Sequence, residues 1–92
     1  MIELGGSITL DGFSDRDYAE LIVVKKIVGR YARQLSDAYS GFQSLGVRLE
    51  AGEPHIVNVT CNLETRKAEA KKSDRNLFVA LDSALKDITK RL

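Results

Sequence analysis

Tryptophan is absent from this chain, and cysteine, histidine, proline and methionine occur once each. The lone cysteine, Cys61, excludes a disulfide framework and a cysteine-based zinc cluster. It stands in an alternating apolar stretch and reads as a buried, inert thiol. With His55 the only histidine, a metal site would need scattered carboxylates, and none stands at ligand spacing. On one extended strand His55 and Cys61 lie about 20 Å apart, too far for a nucleophile–base pair. Phosphate-loop chemistry is missing as well. "LGGS" lacks the G-x-G-x-x-G spacing and does not open a helix directly, and Gly29-Arg30-Tyr31-Ala32 is no G-x-x-G clamp. These absences argue against an enzyme and against a cofactor or metal.

No apolar run approaches the roughly 18 residues that a membrane span needs. The opening "MIELGGSITL" lacks the basic segment and apolar core of a signal peptide. The expectation is a cytoplasmic protein with no membrane partner.

What is present fits a single domain over residues 1–92, with a hydrophobic content of 43% and a charged content of 29%. The formal net charge of +1 points to no polyanionic partner by itself, but the charges are clustered. Glu3, Asp11, Asp15, Asp17 and Glu20 crowd the start; Lys25, Lys26, Arg30 and Arg33 follow with no acid among them. Arg66, Lys67, Lys71, Lys72 and Arg75 form a second basic cluster, interrupted by Glu69 and Asp74.

The pattern along the chain predicts β-α-β-β-β-α. "IELGGSITL" alternates as one half-buried strand, with a bulge or bend at Gly5-Gly6. Ser14 or Asp15 can cap a helix of about 35 Å running to Ala38, with Leu21, Val24, Val28, Tyr31 and Leu35 on one stripe. Lys26, Arg30 and Arg33 form a row on its other side, and Gly41 is a candidate terminator. Leu45, Val47, Leu49 and Ala51 point inward from a second strand; Val57, Val59, Cys61 and Leu63 do so from a third. A fourth strand is expected from Arg66 to Lys72, with Ala68 and Ala70 inward. Ser73 or Asp74 would then cap a last helix striped by Leu77, Phe78, Leu81, Leu85, Ile88 and Leu92, with Asp82, Lys86 and Lys90 outward. The fold class expected is α+β: a two-layer sandwich with two helices on one face of a four-stranded mixed sheet. Its other face would carry Arg48, Glu50, Asn58, Thr60, Asn62, Lys67, Glu69 and Lys71.

"HIVNVTCNLETRKAEAKKSDRNLFVALDSALKDITKRL" resembles the end of the ribosome hibernation promoting factors and ribosome-associated translation inhibitors. The carrying motifs are the "RKAEA" strand, the "KSD" link and the "NLFVALDSALKDITKRL" helix. "IELGGSITLDGFSDRDYAELIVVKKI" resembles the same family's opening strand, turn and first helix. The resemblance implies a domain that binds the small ribosomal subunit near the decoding site, contacting ribosomal RNA through basic side chains. The matching positions are Lys25, Lys26, Arg30, Arg33, Arg66, Lys67, Lys71, Lys72 and Arg75, with Lys86, Lys90 and Arg91 extending the patch.

The first reading is therefore an RNA-contacting, ribosome-associated domain, a translation or hibernation factor that works by occupancy. It requires the cations of the first helix and the last strand to converge on one surface. Tyr18, Tyr31, Tyr39, Phe13, Phe42 and Phe78 fall on or near core stripes, so backbone recognition is expected rather than base stacking. The alternative is a protein-interaction or homodimerising module that uses the open sheet face or the edge of the last strand.

Overall fold

The computed structural model describes residues 2–50 and 52–92. Its elements are β1 (Ile2–Leu4), β2 (Ile8–Asp11), α1 (Tyr18–Ala38), β3 (Phe42–Glu50), β4 (His55–Leu63), β5 (Lys67–Asp74) and α2 (Leu77–Arg91). The strands form one five-stranded sheet in the order β1-β2-β3-β4-β5. β2 and β3 pair in parallel across the α1 crossover, and the other neighbours pair antiparallel. Both helices bury their stripes against the same sheet face. α2 lies over β4 and β5, and α1 packs against β3 and α2.

The sheet has one strand more than the alternation predicts. The expected first strand is a hairpin, turned at Gly5 and Gly6 with φ of +62° and +79°, the left-handed region that glycine enters without a Cβ clash. Leu4 opposes Ile8 and Ile2 opposes Leu10, so both halves present their apolar residues to one face.

α1 starts at Tyr18 rather than at the expected Asp15. Phe13 is fully buried and its carbonyl accepts the Arg16 amide, so residues 13–16 form a turn. Neither Ser14 nor Asp15 caps the helix; Asp17 occupies the cap position without a side-chain bond. Gly12, with φ +82°, has no room for a Cβ because the Leu49 carbonyl lies where it would go. The helix ends with the extended residue Tyr39, whose amide donates to the Leu35 carbonyl, so Gly41 is not a left-handed terminator.

β3 begins at Phe42, earlier than expected, and Ala51 lies outside the described residues. β5 runs on to Asp74, with Ser73 and Asp74 still paired to Ile56 and His55. Those two residues therefore cannot cap α2. Asn76 does so, its side-chain oxygen accepting from the amides of Phe78 and Val79.

The core is continuous between the layers. Leu10, Leu45, Val47, Val57, Val59 and Cys61 line the sheet side, with Val24, Val28, Leu81, Leu85 and Ile88 above them, all essentially inaccessible to solvent. Cys61 is a free, buried thiol whose burial raises its pKa, as the sequence predicts. Among the described residues no helix is long and apolar enough to cross a membrane.

Candidate nucleic-acid interface

Every cation singled out in the sequence is exposed. They do not all converge. On α1 the buried residues Val24, Val28, Tyr31, Ala32 and Leu35 face the sheet. At about 100° per residue this turns Lys26, Arg30 and Arg33 directly away from it, with Lys25 on the flank. On β5, Lys67 and Lys71 alternate with buried Ala68 and Ala70, so they project from the opposite, open sheet face. The sheet itself separates them from the α1 row.

Lys72 departs from its neighbour Lys71. It pairs in register with buried Val57 and so lies on the helix side, at the edge of β5. There it lines a shallow cleft of about 230 Å³ with Ser83, Lys86, Asp87 and Lys90. Arg66 has a structural part: its guanidinium donates to the Leu92 carbonyl at 2.7 Å and lies 5.9 Å from the Tyr39 ring centroid. Arg75 sits between β5 and α2. Its carbonyl accepts from His55 Nδ1 at 2.8 Å, which joins the start of β4 to that loop. His55 is thus engaged in a backbone bond and does not line the sheet-face depression of about 600 Å³, whose walls include Arg48, Glu50, Glu69 and Lys71.

Charge divides unevenly between the two faces. Helix residues contribute Lys25, Lys26, Arg30, Arg33, Lys86, Lys90 and Arg91 against Glu20, Asp37, Asp82 and Asp87. Most of these acids are already engaged. Glu20 pairs with Arg16 at 2.9 Å, Asp82 with Lys86 at 3.1 Å and Asp87 with Arg91 at 2.9 Å. Lys25, Lys26, Arg30, Arg33, Lys72 and Lys90 have no ion pair among the described residues. The open sheet face sets Arg48, Lys67 and Lys71 against Glu3, Asp11, Glu50 and Glu69, with Arg91 from the end of α2 also lining its depression, and Lys67 is paired to Glu69 at 3.3 Å. The helix layer carries the excess of positive charge; the sheet face is balanced.

One hydrogen bond ties the two helices of that layer together. Tyr31 donates its hydroxyl to Asp82 at 2.9 Å, joining α1 to α2. The hydrogen bond from Tyr31 lowers the Asp82 pKa most, and Lys86 and Arg30 lower it further against the effect of burial. Asp87 is lowered chiefly by its bond from Arg91, with the charges of Lys72 and Lys90 adding to it. Arg30 is thus within electrostatic reach of Asp82 on α2, and Lys72 and Lys90 are both within reach of Asp87. Cations stand along α1, along α2 and at the β5 edge on the helix side of the sheet. Asp82 consequently faces α1, not outward as its spacing from Lys86 and Lys90 predicts.

Tyr18 also departs from expectation. It is 75% exposed at the start of α1 and belongs to no core stripe, whereas Phe13 and Tyr31 are buried. Among the described residues no cluster of His, Cys, Asp and Glu is arranged to hold a metal.

The architecture is a two-layer α+β sandwich whose helix layer carries the excess of positive charge. By sequence, no family model and no curated protein matches the chain. Solved structures share the fold. The N-terminal domain of Protein Y from Thermus thermophilus superposes with a TM-score of 0.66 at 16% identity, over 91% of this chain and 90% of its own. A ribosomal subunit interface protein from Coxiella burnetii gives a TM-score of 0.67 at 13% identity, over 94% of this chain and 90% of its own. The fold implied by the sequence resemblance is the fold found, with the added hairpin strand.

Proposed function

We propose that this protein is a ribosome-associated domain that contacts ribosomal RNA on the small subunit and regulates translation by occupying a site there. The observation that carries the proposal is the charge partition. In a chain of net charge +1 the helix side carries six cations outside any ion pair among the described residues, Lys25, Lys26, Arg30, Arg33, Lys72 and Lys90, against two, Arg48 and Lys71, on the sheet face, where acids match the cations. The likeness to a ribosomal subunit interface protein supports the ribosome as partner. The contact surface is Lys25, Lys26, Arg30 and Arg33 of α1, continued through Lys86 and Lys90 of α2 to Lys72. Lys67 and Lys71 lie outside it.

Such a surface holds a phosphate backbone through Lys and Arg and selects its target by shape. Co-sedimentation with purified small ribosomal subunits tests it. The variant Lys26→Glu/Arg30→Glu/Lys90→Glu should lose sedimentation while keeping its far-ultraviolet dichroism. Lys67→Glu/Lys71→Glu should sediment like wild type. The opposite pattern would move the interface to the sheet, and retention by both variants would remove the RNA reading.

A further inference from the structure

Gly29 stands in the middle of α1, partly exposed. Glycine is among the poorest helix formers, and an interior one calls for a reason in packing. Among the described residues none supplies one: a Cβ added at Gly29 meets nothing within 4 Å. Its φ is not positive either, so the backbone does not demand glycine. Its surface neighbours one turn away on either side are Lys25, Lys26, Ala32 and Arg33, and Ala32 is buried. The bare backbone at Gly29 is therefore the floor of a notch walled by unpaired cations.

The row through this notch is equally unsuited to the free chain. Lys26 and Arg30 stand one turn apart, with no acid within a turn of either on α1. Like charges at that spacing repel. Two features that weaken the isolated helix thus occupy the same patch; Arg30 lies 5.7 Å from the Tyr31 ring centroid, but among the described residues nothing packs where a Gly29 side chain would stand.

Resting on the RNA contact proposed above, we propose that Gly29 is the point of closest approach between α1 and its target. In that arrangement one phosphate group of the RNA backbone sits against the glycine and is gripped by Lys25, Lys26 and Arg33. A side chain at position 29 would hold the phosphate off and lengthen each of those charge-assisted contacts.

The prediction has opposite signs for folding and for binding. Free variants are followed by thermal unfolding, and binding is followed by co-sedimentation with purified small ribosomal subunits. Gly29→Ala should raise the midpoint of the free chain by roughly 4 °C or more and weaken binding several-fold. Gly29→Leu should keep a midpoint no lower than wild type and weaken binding by about tenfold or more. Wild-type affinity in Gly29→Leu overturns the notch, as does a lowered midpoint in Gly29→Ala, which would reveal an internal need for glycine. If Gly29→Leu fails to fold, unchanged affinity in Gly29→Ala overturns it alone. Failure of the underlying reading looks different: the Lys26→Glu/Arg30→Glu/Lys90→Glu variant would then still bind. Loss in that variant with full binding by the Gly29 variants removes the notch and leaves the RNA reading standing.

Discussion

At the residue scale, Tyr31 joins the core to the helix surface through one side chain. Its ring is buried in the α1 stripe while its hydroxyl reaches Asp82 on α2. Tyr31→Phe should destabilise the fold by about 1 kcal/mol, the net worth of an ordinary hydrogen bond, measurable by urea unfolding. The same bond sets a pH dependence. Asp82 and Asp87 have folded pKa values below the ordinary carboxylate range. Their contribution is present above the unfolded value of about 3.9 and is lost as pH falls through the lower folded value. The thermal midpoint should therefore drop on acidification below about pH 4, and Tyr31→Phe should flatten that acid limb. An acid limb identical in the two proteins would contradict the assigned bond. Much of this scale was legible in sequence: Cys61, Val57 and Val59 alternate inward as predicted. The Tyr31–Asp82 bond was not, because the helix register that turns Asp82 toward α1 depends on how the two helices pack.

At the scale of elements, alternation and helical period located both helices and the last three strands, merged the first two strands into one, and local competition moved the ends. The Gly5-Gly6 hairpin escaped because Leu4 and Ile8 are an even number of residues apart. An even spacing leaves the apolar residues in phase, so two short strands read as one. α2 starts late because Ser73 and Asp74 prolong β5, which leaves the capping to Asn76. Asn76→Ala should cost about 1 kcal/mol, and Ser73→Ala well under half of that, by chemical denaturation. The reverse order would return the cap to Ser73. The position of β5 gives its lysines a structural part. It is an edge strand, and Lys67, Lys71 and Lys72 are the kind of charged residues that keep such an edge from recruiting another strand.

At the scale of the whole molecule, the basic residues separate into groups with different work. Adjacent Lys71 and Lys72 point to opposite faces, and the cations of α1 share a side with only one of them. Sequence clusters could not show this, since the face of each β5 residue is fixed by its register with β4. On the proposed reading the helix layer, and not the sheet, meets a polyanion. The most direct measurement is the salt dependence of affinity for purified small ribosomal subunits, comparing wild type with Arg30→Gln/Lys90→Gln and with Lys67→Gln/Lys71→Gln. Each lost phosphate contact should reduce the slope of log K against log salt by about one. A shallower slope for the helix-layer variant, with the sheet-face variant unchanged from wild type, is the result predicted. A slope that falls only when Lys67 and Lys71 are neutralised would contradict it.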